Sequence, residues 1–325
     1  MEEFKTLSNV CVIIPVYKSK DKINLVLKKL LKLKPQLIIL VDDNCPQKSL
    51  NKIEFKGKKV VKIVHKSNKG VGGAFISGVK FLKDKNYKNI KFISKLDSDD
   101  QHDPSDLLIM KKKIYDQKAD FAKGNRFLLM RRPKNMSLIR RIGNIGLTFL
   151  YKLATGQWEL SDPVNGIFLG RSKVIIDLLR FDIKERYLFE SSLLFNLSKL
   201  KAKLIEVPAK ISYSNEISSL KWYKETYPFF SYYIRGFFNR IFREYLYPDL
   251  NPGILPLISF FVFLILLIKK TFLLFDNMDK EIMSEVGDIN LFVVYLIACL
   301  FSFFIWLLFD TSKNSKNISI YDFYE

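Results

Sequence analysis

Ile90-Lys91-Phe92-Ile93-Ser94-Lys95-Leu96, running straight into Asp97-Ser98-Asp99-Asp100-Gln101-His102, is an apolar run that ends in a cluster of carboxylates. Acidic side chains two residues apart, where a strand gives way to a loop, can direct hard oxygen ligands at one divalent cation, and a diphosphate can fill its remaining positions. A capped surface turn would also use Asp at such a place, with Pro104 following. Four oxygen-bearing side chains in a row exceed what a turn requires.

Upstream, the chain repeats one pattern. Val10-Cys11-Val12-Ile13-Ile14-Pro15 is a short β-rich run, and Ile23, Val26, Leu27, Leu30 and Leu31 then recur at the three- and four-residue spacing of a helix face. Leu37 to Val41 is the next strand and ends at Asp42-Asp43-Asn44. Val60 to Val64 is a third, and Asn68-Lys69-Gly70-Val71-Gly72-Gly73 opens a helix that continues through Lys83. Strands alternating with helices, each strand ending in polar loop residues, predict an α/β fold with a mostly parallel sheet and ligands at its carboxyl edge. Beyond Asp106 the pattern predicts a helix to about Gln117, a strand near Asp120 to Lys123 and a basic amphipathic stretch from Met130 to Leu153.

The 325 residues are 48% hydrophobic, more than a solvated domain needs, and the excess lies near the C-terminus. Ile254 to Ile268 is apolar, is interrupted by Lys269-Lys270 and resumes from Thr271 to Phe275; Leu291 to Phe309 is apolar or weakly polar throughout. About 20 helical residues cross the roughly 30 Å of bilayer hydrocarbon, so the second run spans comfortably and the first with help from tilt or lysine snorkelling. Between them, Asp276 to Asp288 holds five acids and one lysine. The whole chain carries a net charge of +20, and its first 275 residues carry +25 of it, offset by −5 after them. The positive-inside rule then leaves the connector outside and both termini in the cytosol. Just before the first run, Leu220 to Tyr247 interleaves aromatic rings with Lys and Arg, a composition suited to the headgroup layer. Such a basic body suits an anionic membrane surface and phosphate-bearing substrates. The lysines are scattered without a nucleic-acid module, so nucleic acid is not an expected partner. Cys11, Cys45 and Cys299 are far apart, as reduced cytosolic thiols would be, and imply neither a disulfide framework nor a zinc site. The N-terminus has no basic-then-apolar leader pattern, which leaves membrane insertion to the C-terminal helices.

Taken in order, Ile13-Ile14-Pro15-Val16-Tyr17, Val41-Asp42-Asp43, Asn68-Lys69-Gly70-Val71-Gly72-Gly73-Ala74 and Asp97-Ser98-Asp99-Asp100-Gln101-His102 resemble the blocks of glycosyltransferase family 2. Lys123-Gly124-Asn125-Arg126-Phe127, Asp162-Pro163-Val164-Asn165-Gly166, Arg186 to Ser191, Glu206-Val207-Pro208 and Glu216 to Leu220 are similar to later blocks of its dolichol-phosphate-mannose-synthase-like branch. The resemblance covers roughly residues 9 to 250. It implies a GT-A fold, a Rossmann-like α/β arrangement, over residues 1–219. Interfacial helices over 220–250, membrane helices at about 252–275 and 289–309, and a cytoplasmic tail over 311–325 complete the expected organisation.

The resemblance also implies roles. Pro15, Tyr17, Asp42, Asp43, Lys69, Gly70 and Asp97 would bind the nucleotide sugar, and Asp97, Asp99 and Gln101 would hold Mg²⁺ or Mn²⁺, whose hardness matches oxygen ligands. Arg126, expected with Asp99 among the catalytic residues, is the foremost clamp for phosphate oxygens, beside the diphosphate or the acceptor's phosphate, and Arg140 or Arg141 is expected at the acceptor's phosphate. Glu190 and Asp162 either deprotonate an acceptor hydroxyl or orient neighbouring loops. The expected activity is inverting hexose transfer from a nucleoside-diphosphate sugar to a polyprenyl phosphate, at the cytoplasmic face of the cell membrane. Transfer to a hydroxyl of a lipid-linked saccharide is the rival enzyme, and a non-catalytic membrane scaffold the rival of another class. Expected partners are the donor, the lipid acceptor and membrane lipids, with a homo-oligomer allowed.

Overall fold

A computed structural model describes residues 4–19, 22–53, 59–87, 89–128, 138–210, 222–247, 249–279 and 286–314. It divides into two compact units, with the boundary between Ile234 and Arg235.

The first unit is built on a seven-stranded sheet. In chain order it contains β1 (Val10–Val16), α1 (Lys22–Lys32), β2 (Leu37–Asp42), β3 (Val60–Val64), α2 (Gly70–Lys85), β4 (Phe92–Lys95), α3 (Asp106–Asp116), β5 (Phe121–Asn125), α4 (Leu138–Thr155), β6 (Phe168–Arg171), α5 (Ser172–Asp177), α6 (Phe189–Lys199) and β7 (Leu204–Pro208). The strand order is β3-β2-β1-β4-β6-β5-β7. All neighbours pair in parallel except β6, which runs antiparallel between β4 and β5. Every parallel strand therefore delivers its carboxyl end to one edge, and β6 delivers its amino end to that same edge.

Strands buried on both faces read as continuous apolar runs, and β1 and β2 do so because helices cover both sides. Alternate residues divide between two cores: Cys11, Ile13, Ile39 and Val41 pack with α2, α5 and α6, whereas Val12, Ile14, Ile38 and Leu40 pack with α1 and α3. Of the stripe expected on α1, Ile23, Val26, Leu27 and Leu30 are buried and Leu31 is half-buried. Pro15 is tolerated in a central strand because β1 pairs with β4 only as far as Ile13, so the missing N–H leaves no rung empty. Gly78 lets α2 approach β1, since a Cβ there would lie 2.8 Å from Ile13 Cγ2.

The sequence pattern predicts four of these parallel strands and the start of β5, but neither β6 nor β7. Phe168-Leu169-Gly170-Arg171 is only four residues long, and its strand character comes from being clasped between two neighbours.

The helix α7 (Trp222–Ile241) crosses the unit boundary, and a π-helical turn, Phe242–Leu246, follows it. Its aromatic rings divide. Phe229 and Tyr233 are buried in the core of the first unit, where Tyr233 Oη donates to Ser191 Oγ at 2.7 Å, while Tyr227, Phe230 and Phe238 are exposed, as is Phe242 in the turn that follows. The interfacial segment expected over 220–250 thus serves in part as core. Glu216 to Leu220 lies outside the described residues.

In the second unit, α8 (Ile254–Asp279) and α9 (Val286–Asn314) form an antiparallel hairpin, with Phe260 against Phe303 (ring centroids 5.1 Å), Ser302 Oγ donating to Ser259 Oγ at 3.2 Å and Lys270 paired with Asp288. Both helices are long and apolar enough to cross a membrane. Lys269-Lys270 interrupts the apolar run but not the helix, and Lys270 finds its counter-charge across the hairpin. At the other end a fully buried ion pair joins α7 to α9: Arg240 Nη1 and Nη2 reach Asp310 Oδ1 and Oδ2 at 2.8 and 3.1 Å, and Tyr245 Oη donates to Asp310 Oδ1 at 2.5 Å.

Removing one member of a buried ion pair strands the other, at about 3–5 kcal/mol. Asp310→Ala should therefore lower the melting temperature of the detergent-solubilised protein well below that of the Arg240→Met/Asp310→Leu double variant, as read by thermal unfolding.

Candidate active site

The carboxyl edge of the sheet collects most of the residues that the sequence singled out. Tyr17 follows β1, Asp42 and Asp43 close β2, Asp97 to Gln101 follow β4, Arg126 follows β5, Asp162 lies in the loop before β6, and Glu190 is in the first turn of α6.

Two groups of polar contacts form there. On the β4 side, Lys95 Nζ lies 2.8 Å from Asp97 Oδ1 and 3.2 Å from Glu190 Oε1, and donates to Gly166 O at 3.2 Å. Burial alone would push the Lys95 pKa down, but Asp97 and Glu190 more than reverse this and hold the ammonium charged. Burial likewise opposes the Asp97 charge, and Lys95 outweighs it, so that carboxyl sits below its usual range. Asp99 Oδ1 accepts the Gln101 backbone N–H at 3.1 Å. Asp100 adopts the left-handed conformation, φ 58°, and both its oxygens accept from Lys29 on α1. His102 is buried, its Nε2 is 3.9 Å from Asp97 Oδ2 and its Nδ1 has no hydrogen-bond partner among the described residues; burial pushes its pKa down to about 4, so the ring is neutral at pH 7.

On the β5 side, Arg126 grips Asp162 through two parallel bonds, Nη2 to Oδ1 at 2.6 Å and Nε to Oδ2 at 2.8 Å, and its backbone N–H adds a third at 3.1 Å. Glu206 holds the same loop by accepting from the Ser161 and Asp162 backbone N–H groups at 2.7 and 2.9 Å and from Asn125 Nδ2 at 2.5 Å. Lys123 Nζ donates to Asn165 O at 2.6 Å. Two buried lysines thus anchor the consecutive carbonyls of Asn165 and Gly166.

The β2 side is closed by its own contacts. Asp43 accepts from the Lys69 and Gly70 backbone N–H groups at 2.8 and 2.7 Å and bonds His65 Nδ1 at 2.8 Å, while His65 Nε2 meets Ser77 Oγ at 2.9 Å. Glu185 O accepts from Gly72 and Gly73 N–H, and Gly70 takes a φ of +85° that suits glycine. The amino end of α2 is therefore capped by Asp43 and by the loop before α6. Asp42 Oδ1 accepts from Cys45 N at 2.7 Å. Pro15 is buried, and Tyr17 is 44% exposed at the edge. Arg140 and Arg141 belong to α4, but their side chains lie outside the described residues.

Among the described residues no three His, Cys, Asp or Glu side chains form a closed metal cage. Asp97 and Asp99 nonetheless supply an all-oxygen pair beside a neutral imidazole, and Mg²⁺ or Mn²⁺ ordinarily takes its remaining ligands from water and phosphate. The donor set fits such an open site.

Lys95, Lys123, Glu206 and the Asn165-Gly166 carbonyls were not singled out as functional from the sequence. A signal was present: a lysine inside Phe92-Ile93-Ser94-Lys95-Leu96, or inside Phe121-Ala122-Lys123-Gly124, puts a charge where a strand is buried, and such a charge needs a partner. The partner's identity is a tertiary fact.

Two tests follow from this geometry. A Cβ on Gly166 would fall well inside contact distance of Asp97 Oδ2. Gly166→Ala should displace Asp97 and lower activity by about 100-fold or more while melting within a few degrees of the native protein, because misplaced catalytic geometry is costly. Burial lowers the Lys123 pKa from 10.5 to about 8, partly offset by Glu190 and Asp162. Between those values the unfolded chain binds this proton and the folded chain does not, so Lys123 makes stability rise with pH. Melting temperatures from pH 8 to 10 should show that rise flattened in Lys123→Met.

The family model described as Glycosyl transferase family 2 matches residues 11–179. The UDP-N-acetylglucosamine–dolichyl-phosphate N-acetylglucosaminyltransferase of Methanococcus voltae is 30% identical over 222 residues, covering 63% of this chain and 86% of that protein. An uncharacterized protein of Methanocaldococcus jannaschii is 32% identical over 209 residues, covering 63% of this chain and 82% of the relative. Among solved structures, glucosyl-3-phosphoglycerate synthase from Mycobacterium tuberculosis aligns in its complex with uridine diphosphate at TM-score 0.53 and 13% identity, over 74% of this chain and 83% of that one. Its complex with Mn²⁺ and UDP-glucose aligns at the same TM-score and identity, over 74% and 82%. At that identity the likeness is one of fold, the GT-A arrangement. With the family model spanning more than half of its length and the ordered blocks gathered at one sheet edge, the chain belongs to glycosyltransferase family 2.

Proposed function

We propose that this protein is a membrane-bound, inverting glycosyltransferase that moves a hexose from a nucleoside-diphosphate sugar to a polyprenyl phosphate at the cytoplasmic face. The observation that carries the choice of acceptor is the state of its two candidate bases. Asp162 is 1% exposed and held bidentately by Arg126, and Glu190 is paired with the buried Lys95 ammonium. Carboxylate oxygens already engaged by these cations are not positioned to take a proton from an acceptor hydroxyl. An acceptor hydroxyl needs a base, whereas a phosphate acceptor is already anionic near neutral pH and attacks without one. The Methanococcus voltae relative, named for transfer to dolichyl phosphate, supports the same acceptor class.

Asp97 and Asp99, with Gln101 beside them, would hold Mg²⁺ or Mn²⁺. Such a cation, when bound, takes up the charge that builds on the departing diphosphate. The other tasks fall to the chain itself: the Arg126–Asp162 pair keeps the loop before β6 in place, and Tyr17, Asp42 and the capped amino end of α2 frame the nucleotide side. Arg140 or Arg141 would meet the acceptor's phosphate. The α8–α9 hairpin, the acidic connector between its helices and the exposed rings of α7 favour a membrane location with the basic first unit inside.

Membranes carrying the protein should convert one of a panel of labelled nucleotide sugars, with polyprenyl phosphate, to a lipid product identified by mass spectrometry. Asp99→Ala should lose at least about 100-fold of that rate. Glu190→Gln, whose amide oxygen still accepts from Lys95, should stay within about tenfold of native; a loss of 10² to 10⁴ would mark Glu190 as a base and move the acceptor to a saccharide hydroxyl.

A further inference from the structure

Lys95 is 1% exposed, in a strand whose other residues are apolar or small. An ammonium has three N–H donors, and three acceptors surround this one: Asp97 Oδ1, Glu190 Oε1 and Gly166 O, at 2.8, 3.2 and 3.2 Å. They come from the loop leaving β4, the start of α6 and the loop entering β6. For stability alone an apolar side chain would serve this strand as well, since burying an ion pair seldom gains over apolar packing. What the lysine adds is charge at one place. Asp97, Asp99 and Glu190 together carry three negative charges, and Lys95 cancels one of them from hydrogen-bond distance of the residue that leads the acidic loop.

We propose that Lys95 is a positioning residue that sets the affinity of the Asp97–Asp99 loop for its divalent cation. It keeps binding of the bare ion weak, so that the ion is retained chiefly together with a diphosphate, and it ties Glu190 and Gly166 to the same carboxylate. The purpose is release as well as capture. Without the Lys95 charge the same carboxylates would hold the ion, and the nucleoside diphosphate with it, more tightly after transfer. The proposal rests on Asp97 and Asp99 being the cation's ligands and not on the identity of the acceptor.

The test uses the full chain in detergent and titrates Mn²⁺ alone, following the free-ion electron paramagnetic resonance signal, and then repeats the titration with UDP or GDP present. Lys95→Met should bind bare Mn²⁺ at least about tenfold more tightly than native, because an adjacent unit charge has been removed. Its gain in Mn²⁺ affinity on adding nucleotide should shrink, and kcat should fall while the Mn²⁺ concentration for half-maximal rate falls too. A purely structural role would weaken Mn²⁺ binding along with activity. Lys95→Arg should return Mn²⁺ affinity to within about threefold of native, and Asp97→Asn added to Lys95→Met should abolish the tightening. Should Lys95→Met fail to fold, Glu190→Gln reads the same balance from the other side and should weaken Mn²⁺ binding. Unchanged or weaker Mn²⁺ binding by a folded Lys95→Met, or unchanged binding by Glu190→Gln, would overturn the proposal, as would a native protein that binds no Mn²⁺ even with nucleotide. Tightening in Lys95→Met by a protein inactive on polyprenyl phosphate would support Lys95 and overturn only the acceptor.

Discussion

The ammonium of Lys95 is where three parts of the chain that are remote in sequence meet. Asp97 comes from the loop that leaves the strand bearing it, Gly166 from a loop some seventy residues later and Glu190 from a helix beyond that, and each supplies one acceptor to one of its three protons. Such an arrangement tolerates little slack. A buried charge stripped of any partner is costly, so the lysine holds all three segments at hydrogen-bond distance, and the carboxyl edge of the sheet takes its shape from that requirement. Lys123 repeats the device one carbonyl earlier, at Asn165.

Around this junction the carboxylates divide into those that hold structure and those that remain at the edge. Asp43 caps α2, Asp162 is clasped by Arg126, Glu206 fixes the loop carrying Asp162, and Asp100 turns to α1. The topology makes this economical. Because β6 enters the sheet antiparallel between β4 and β5, the loop that precedes it arrives at the same edge as the acidic loop and Arg126. In the second unit the same logic recurs in apolar surroundings, where Arg240, Asp310 and Tyr245 satisfy one another within one buried cluster.

Much of the fold was legible because its signals are local. The continuous apolar runs of β1 and β2, the stripe of α1, the glycine-rich start of α2 and the two long apolar helices each follow from periodicity or composition within a dozen or two residues. The acidic loop after β4 was legible for the same reason. Other features were not. The strand β6 is too short to announce itself, Phe229 and Tyr233 of the aromatic pattern of α7 face a core that only the folded chain creates, and the pairing of Glu190 with Lys95 joins residues 95 positions apart.

The order of the blocks along the chain determined the family, the alternation of strand and helix, and the edge at which polar residues would gather, since each depends on neighbours in sequence. Tertiary structure alone decided which of those carboxylates are engaged. The charge state and reach of a side chain depend on what the fold brings within about 4 Å of it, and partners at that range are set by topology rather than by spacing along the chain.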